Sequence, residues 1–272
     1  SSDLVLTGIF KEAREHNRRV LSIQFLTDLR DPLLFNTLVE SRDIFGIILL
    51  ALDPLQLQQE EIEVLNRIVE RFDNVISAER NWKNLPTVTF DLKGAAAAAT
   101  NHLIQLGHKK IGYIGARDGR LDGYHEALQT AGLAASCDLE ILHPQNLNTY
   151  EFGYQSAAKM TKTCPSISAI LGASDEVAIG AMGYLQNGGY TIPDQIALIG
   201  IDNVEQSAYT SPPLSTVQIP KMQLGEEAVN LLIERSKGDQ RSNLTTFLPT
   251  RILVRESCGA KVVKSTDILQ TD

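Results

Sequence analysis

The chain is poor in cysteine, in basic charge and in long apolar runs, and each shortage excludes something. Its 272 residues hold three cysteines, at 137, 164 and 258. They are odd in number and far apart, which is neither a disulfide framework nor a metal-ligand spacing. That usage fits a reducing compartment, so a cytoplasmic location is expected. Basic residues number 25 against 33 acidic ones, for a net charge of −8. Such a surface does not grip nucleic acid by its own charge. The longest apolar stretch, around 44–52, is far short of the roughly 20 residues that span a bilayer, so no membrane partner is expected. No basic segment followed by an apolar one opens the chain, so a secretory signal is either absent or already removed.

Enzyme signatures are equally scarce. There is no G-x-x-x-x-G-K-[ST] phosphate loop, no H-E-x-x-H helix and no G-x-S-x-G elbow. Gly112, Gly115 and Gly119 follow a strand-like run, but their spacing is not that of a dinucleotide loop. The five histidines share no metal spacing, and His102 and His108 flank a helix end, which suits surface or capping roles. Cys164, before Pro165, has no His or Lys neighbour in sequence and reads as a bystander. We therefore expect no catalytic residues, no metal and no cofactor.

What is present is an ordinary globular composition, 43% hydrophobic and 21% charged, at a length that allows one large domain or two medium ones. Strand and helix patterns alternate along it. The text predicts a helix over 4–17, a strand over 19–25 (RVLSIQF) and a helix opened by Asp31-Pro32. A strand at 46–50 (GIILL), a helix at 58–72 and a strand at 75–78 follow. The rhythm then repeats: strands at 88–90, 110–115, 139–142, 167–171 and 196–201, with helices at 93–106, 122–131, 150–163 and 175–186. The end of the chain departs from it, with a strand at 214–219, one long helix at 221–237 and strands at 245–248 and 251–254. After Cys258 the text turns polar and aperiodic, and 259–272 reads as a disordered tail. Strands alternating with helices of ten or more residues define βαβ units and parallel sheets. There are too many units for one compact sheet, so the expected fold is α/β with two such layers.

In open parallel sheets ligands bind beyond the carboxyl ends of the strands. Several polar groups fall there. Ser174-Asp175 follow ISAIL, Asp202-Asn203 follow IALIGI, Arg120 follows KIGYIG, Glu79-Arg80 follow the strand at 75–78, and Phe90-Asp91 end another. An arginine, short acids and amides, and an aromatic face suit a sugar or another small polar ligand. Each residue taken singly is equally explained as a helix cap, and for Asp175 the cap is favoured. The functional reading rests on their joint location.

Four segments carry a family resemblance. HLIQLGHKKIGYIG (102–115), ASDEVAIGAMGYLQNGGYTIPDQIALIGIDN (173–203), SPPLSTVQIP (211–220) and LPTRILVRESC (248–258) resemble, in order and spacing, the lactose-repressor (LacI/GalR) family of bacterial transcription regulators. The likeness runs from about Asp3 to Cys258. It implies a periplasmic-binding-protein-like fold of two doubly wound subdomains joined by three crossings, with the effector in the cleft. The subdomains would be 1–90 plus 220–248 and 91–219 plus 249–258. Residue by residue, it implies Arg120 and Asp202 as effector ligands, with Glu79 ending the fourth family strand. Ser174 stands where an asparagine is frequent, Asn148 where an aromatic is frequent, and Phe90 at the crossing where Asp-Asn is usual.

The resemblance further implies a cytoplasmic homodimer. The helices at 31–42 and 175–186 and the segment 211–213 are expected to supply its interface. The family reads operator DNA through an N-terminal helix-turn-helix headpiece. Nothing of that kind precedes Asp3, so this chain would reach DNA only through a headpiece missing from it. The family's first effector-domain strand also has no counterpart, since Asp3 onward matches the first helix. The expected function is the effector-sensing and dimerisation domain of a repressor. The alternative is a sugar-binding protein of a transport system, which shares the fold. An enzyme ranks last, for want of a nucleophile–base pair.

Overall fold

The computed structural model describes residues 2–23, 26–41, 43–51, 57–135, 137–143, 149–238 and 245–260. Residues 261–272 of the tail predicted at 259–272, and the candidate Asn148, lie outside the described residues. The chain divides into two compact units, Ser1–Phe90 with Pro220–Pro249 and Asp91–Ile219 with Thr250–Asp272.

The first unit is built on a parallel sheet of order β1-β2-β3-β9: β1 (Ile47–Leu50), β2 (Val75–Ala78), β3 (Thr87–Phe90) and β9 (Thr245–Leu248). Every residue of β2 is buried, as expected of a strand covered on both faces. Helices α1 (Ser2–Glu15) and α8 (Lys221–Ser236) pack together. The buried stripe of α1 is Val5, Ile9 and Ala13, spaced by four, and it meets Leu224, Ala228, Val229 and Leu232. Leu4, one residue off that spacing, is left exposed. Helix α2 (Pro32–Glu40) starts as its sequence dictates: Asp31 accepts from Leu33 N at 2.8 Å, and proline occupies the first turn. Helix α3 (Gln59–Arg71) buries Leu65 against Leu49, Val75 and Trp82.

The strand predicted at 19–25 is not formed over its described part: residues 18–23 form no strand, and Leu21 is 72% exposed. Residues 24 and 25 lie outside the described residues. A strand needs a neighbour to pair with, and among the described residues none pairs with this segment.

The second unit carries a six-stranded sheet of order β10-β8-β7-β6-β4-β5. Its strands are β4 (Ile111–Gly115), β5 (Glu140–Leu142), β6 (Ala169–Gly172), β7 (Ala197–Asp202), β8 (Ser215–Gln218) and β10 (Arg251–Leu253). All neighbours are parallel except β10, which runs antiparallel to β8. Helices α4 (Leu92–Gln105), α5 (Gly119–Thr130), α6 (Tyr150–Thr163) and α7 (Asp175–Asn187) cover it. The alanine run of α4 is explained by position: Ala95, Ala96 and Ala99 are fully buried.

Helices α6 and α7 approach through two glycines. A Cβ on Gly153 would lie 2.1 Å from Val177 O, and one on Gly180 would lie 2.0 Å from Tyr150 O. Each helix thus sets its backbone directly against the other's carbonyls. Only hydrogen fits at either position.

Candidate functional site

The strand order β5-β4-β6 places a topological switch point at the carboxyl ends of β4 and β6. Beyond such a point the sheet edge opens a crevice for ligands. Two of the residues singled out by sequence sit there. Beyond β4, Asp118 caps α5 by accepting from Arg120 N at 3.0 Å. The helix therefore begins about one turn earlier than predicted, and Arg120 lies in its first turn. Its side chain bends back onto the same aspartate: Nε donates to Asp118 Oδ1 at 3.0 Å and Nη2 to Oδ2 at 2.6 Å. Nη1 donates to Ala173 O at 2.6 Å, just past β6. A Cβ on Gly115 would fall 2.0 Å from the Ala173 Cβ, so glycine at the end of β4 lets the two strand ends meet. Burial works against the charge on Arg120. Hydrogen bonds to Asp118, and the charges of Asp118 and Asp202, outweigh it and hold the guanidinium above its ordinary range.

Ser174 follows β6 and caps α7, its Oγ accepting from Val177 N at 3.2 Å. The cap uses a lone pair and not the hydroxyl proton. Asp175, expected to be the cap, is instead the first residue of the helix and is fully buried. Its Oδ2 accepts from Val204 N at 2.8 Å and its Oδ1 from Thr216 Oγ1 at 2.5 Å. Gly200 makes room for it, because a Cβ there would lie 2.3 Å from Asp175 Oδ1. Burial pushes the Asp175 carboxyl up to about 6, against the pull of its two donors; Asp202 adds to the rise and Arg255 opposes it.

Asp202 ends β7 with φ +126°, and Asn203 follows at +57°. Non-glycine residues pay of order 1–3 kcal/mol for such conformations, which recur at functional sites. A polar framework holds the turn. Asn203 N donates to Thr216 Oγ1 at 3.2 Å, and Asn203 Oδ1 accepts from Arg255 Nη2 at 2.7 Å. Arg255 Nη1 also donates to Leu214 O at 2.6 Å. Asp175, Thr216 and Arg255 thus hold the chain that follows Asp202, through Asn203 and Val204. Sequence reading had missed this role for all three. A helix-opening acid that proves buried leaves no local signal, whereas Arg255 lies inside the quoted VRES segment.

The remaining candidates belong to the first unit. Glu79 follows β2 with φ +68°; its N donates to Val88 O at 3.0 Å, and its O accepts from Thr89 Oγ1 at 2.6 Å. Phe90 ends β3 and packs, half-buried, against that unit's core. The strands β1 and β2 both exit into positive φ, at Ala51 and Glu79.

Cys258 has a histidine beside it that its sequence neighbours do not reveal: its Sγ lies 3.4 Å from His102 Nε2. Burial lowers the pKa of His102 and of His108, which are both half-buried. Among the described residues no group of three or more His, Cys, Asp or Glu side chains could hold a metal ion. No described helix is long and apolar enough to cross a membrane.

Comparison with known proteins agrees with this fold. Residues 100–258 match the periplasmic binding protein-like domain. The HTH-type transcriptional repressor CytR of Escherichia coli K12 is 27% identical over 267 residues, which is 94% of this chain and 75% of that protein. The HTH-type transcriptional regulator GalR of the same strain is 28% identical over 81% of this chain and 62% of its own length. The crystal structure of a regulatory protein of the LacI family from Chloroflexus aggregans superimposes with a TM-score of 0.81 at 26% identity, covering 94% of this chain and 91% of that one. The chain belongs to the periplasmic binding protein-like domain family, and the homologues it matches are LacI-family transcriptional regulators. These homologues are transcriptional regulators and not enzymes.

Proposed function

We propose that this chain is the effector-sensing and dimerisation domain of a transcriptional repressor, taking a small sugar-like ligand and coupling it to operator binding. The observation that carries the reading is Arg120, tied to both strand ends of the switch point, with Ser174 and Asp202 at the neighbouring strand ends. An anchored guanidinium, a hydroxyl and a carboxylate form the donor–acceptor set that sugar hydroxyls need. Glu79 and Phe90 are proposed as the first unit's contributions, Phe90 supplying a ring face, and Asn148 is carried by resemblance. A repressor works by differential affinity: the ligand favours one conformation or subunit arrangement and so shifts the operator-binding equilibrium. DNA itself would be held by a separate headpiece. The relatives' names, which are those of repressors and regulators, support this role over a transport one.

A thermal-shift panel of neutral sugars, sugar phosphates and nucleobases tests it. A ligand at 100 times its Kd stabilises the fold by about 2.7 kcal/mol. Arg120→Ala is expected to abolish the rise in Tm given by the best panel member, and Asp202→Asn to reduce it, with far-UV circular dichroism unchanged. If both variants respond like the parent, the site is elsewhere.

The dimer has its own check. Leu33 on α2 is 76% exposed, and Tyr209, two residues before Ser211, is 80% exposed. Both lie at or beside segments that the sequence reading assigns to the interface. Sedimentation at micromolar concentration is expected to give a dimer for the parent and a lighter species for Leu33→Asp combined with Tyr209→Asp. A parent that sediments only as monomer would remove the dimer from the proposal.

A further inference from the structure

The arginine at the switch point is already occupied. A guanidinium has five N–H bonds, and among the described residues three of Arg120's are taken, two by the carboxylate of Asp118 and one by Ala173 O. Two remain, one on each terminal nitrogen. Asp118 meets Arg120 through both oxygens, in the side-on geometry that a carboxylate or phosphate ligand would otherwise claim. The pair is largely withdrawn from solvent, with side-chain exposures of 11% and 21%. Asp202 adds a second negative charge that Arg120 senses. The carboxylates that act on Arg120, Asp118 and Asp202, both oppose the approach of an anion.

We infer that Asp118 is the residue that sets ligand charge at this site: it occupies the anion-binding edge of Arg120 and leaves a two-donor fork for uncharged hydroxyl or carbonyl oxygens. This deepens, and rests on, the reading of Arg120 as an effector ligand. The aspartate does two jobs with one side chain. It caps α5 through Arg120 N, and it neutralises the guanidinium of the same residue. Asn or Ser at this position keeps a capping oxygen and removes the charge. An arriving anion would then meet a guanidinium with its carboxylate partner gone. Bound effectors are accordingly neutral polyhydroxyl compounds, and phosphorylated or carboxylated analogues of the same compounds are excluded.

The test uses the full chain at low ionic strength, with inorganic phosphate as the anionic probe and the neutral sugar panel beside it, both read by titration calorimetry. Asp118→Asn and Asp118→Ser are expected to bind phosphate at least about tenfold more tightly than the parent, a modest gain for an unmasked charge in a partly buried setting. The gain is expected to vanish in Asp118→Asn/Arg120→Gln. Phosphate binding in the single variants no tighter than in the parent would overturn the inference, as would a gain that survives loss of Arg120. The two readings fail separately. A parent that binds no neutral sugar, with phosphate gained in Asp118→Asn, supports the role of Asp118 and defeats the sugar-effector reading. A parent that loses its sugar response on Arg120→Ala, with no phosphate gained in either Asp118 variant, does the reverse.

Discussion

Gly180→Leu is expected to cost more than about 3 kcal/mol of stability, with a correspondingly large fall in Tm, although it adds only apolar atoms to an apolar interface. The Cβ alone would sit 2.0 Å from Tyr150 O, and the Cα of Tyr150 is 3.0 Å away. The obstacle is backbone of the facing helix, so no side chain can rotate aside. Relief requires α6 and α7 to separate, and that opens the cluster in which Ala157 and Met160 meet Ala178, Ala181 and Leu185. Gly153 faces Val177 O in the same way, so Gly153→Leu should behave alike. The double variant should be much less than additive, since one separation serves both. Urea denaturation of parent and variants reads this directly. A loss below about 1 kcal/mol for Gly180→Leu would mean the helices do not pack this closely.

Asp175→Ala is expected to lose about 3 kcal/mol at neutral pH by a different route. It leaves the Val204 N–H and the Thr216 hydroxyl without their buried acceptor, at about 1–3 kcal/mol each. Part of that loss is offset because a buried charge disappears with the side chain. The pH dependence separates the two effects. Burial raises the folded carboxyl to about 6, against 3.8 for an exposed aspartate. A raised carboxyl pKa means that the folded state favours the protonated form. Its stabilising contribution is therefore complete below the unfolded value and is lost as pH rises through about 6. The full difference corresponds to about 3 kcal/mol. Parent stability should fall between pH 4 and pH 6 by an amount of that order, and Asp175→Asn should remove that slope. Equal slopes in parent and variant, measured by denaturation at each pH, would show that Asp175 does not titrate there. Because Thr216 also receives the Asn203 N–H, either variant should loosen the strained turn at Asp202 and weaken ligand binding as well.

Much of the architecture was legible without coordinates, because alternating patterns and end signals act over a few residues. Asp31-Pro32 opened a helix, Tyr150–Thr163 formed one over its predicted length, and Val75–Ala78 and Thr245–Leu248 formed the expected strands. The strand expected at 19–25 did not form over the described residues 19–23, for a nonlocal reason. Strand propensity needs a partner, and pairing is settled by the whole sheet. Part of the site was legible too. Arg120, Ser174 and Asp202 could be placed at strand ends from the text alone, and the sheet order then put Arg120 and Ser174 at its switch point.

The division between the two levels is sharpest around the charges. The scarcity of cysteine and the excess of acid set by themselves which chemistries were not expected. Periodicity set the α/β class, because hydrophobic spacing is a property of neighbours along the chain. What each acid does was decided only in three dimensions. Asp118, Asp175 and Asp202 look alike in sequence, each close behind a strand. Tertiary packing made one a partner that masks an arginine, one a buried acceptor with a raised pKa, and one a strained strand end. The physical reason is that a carboxylate's role is fixed by its desolvation and by the donors that surround it. The donor of Asp118, Arg120, is two residues along the chain and is anchored across the sheet by Ala173 O, whereas the donors of Asp175, Val204 N and Thr216 Oγ1, are ones that only the folded sheet brings within reach.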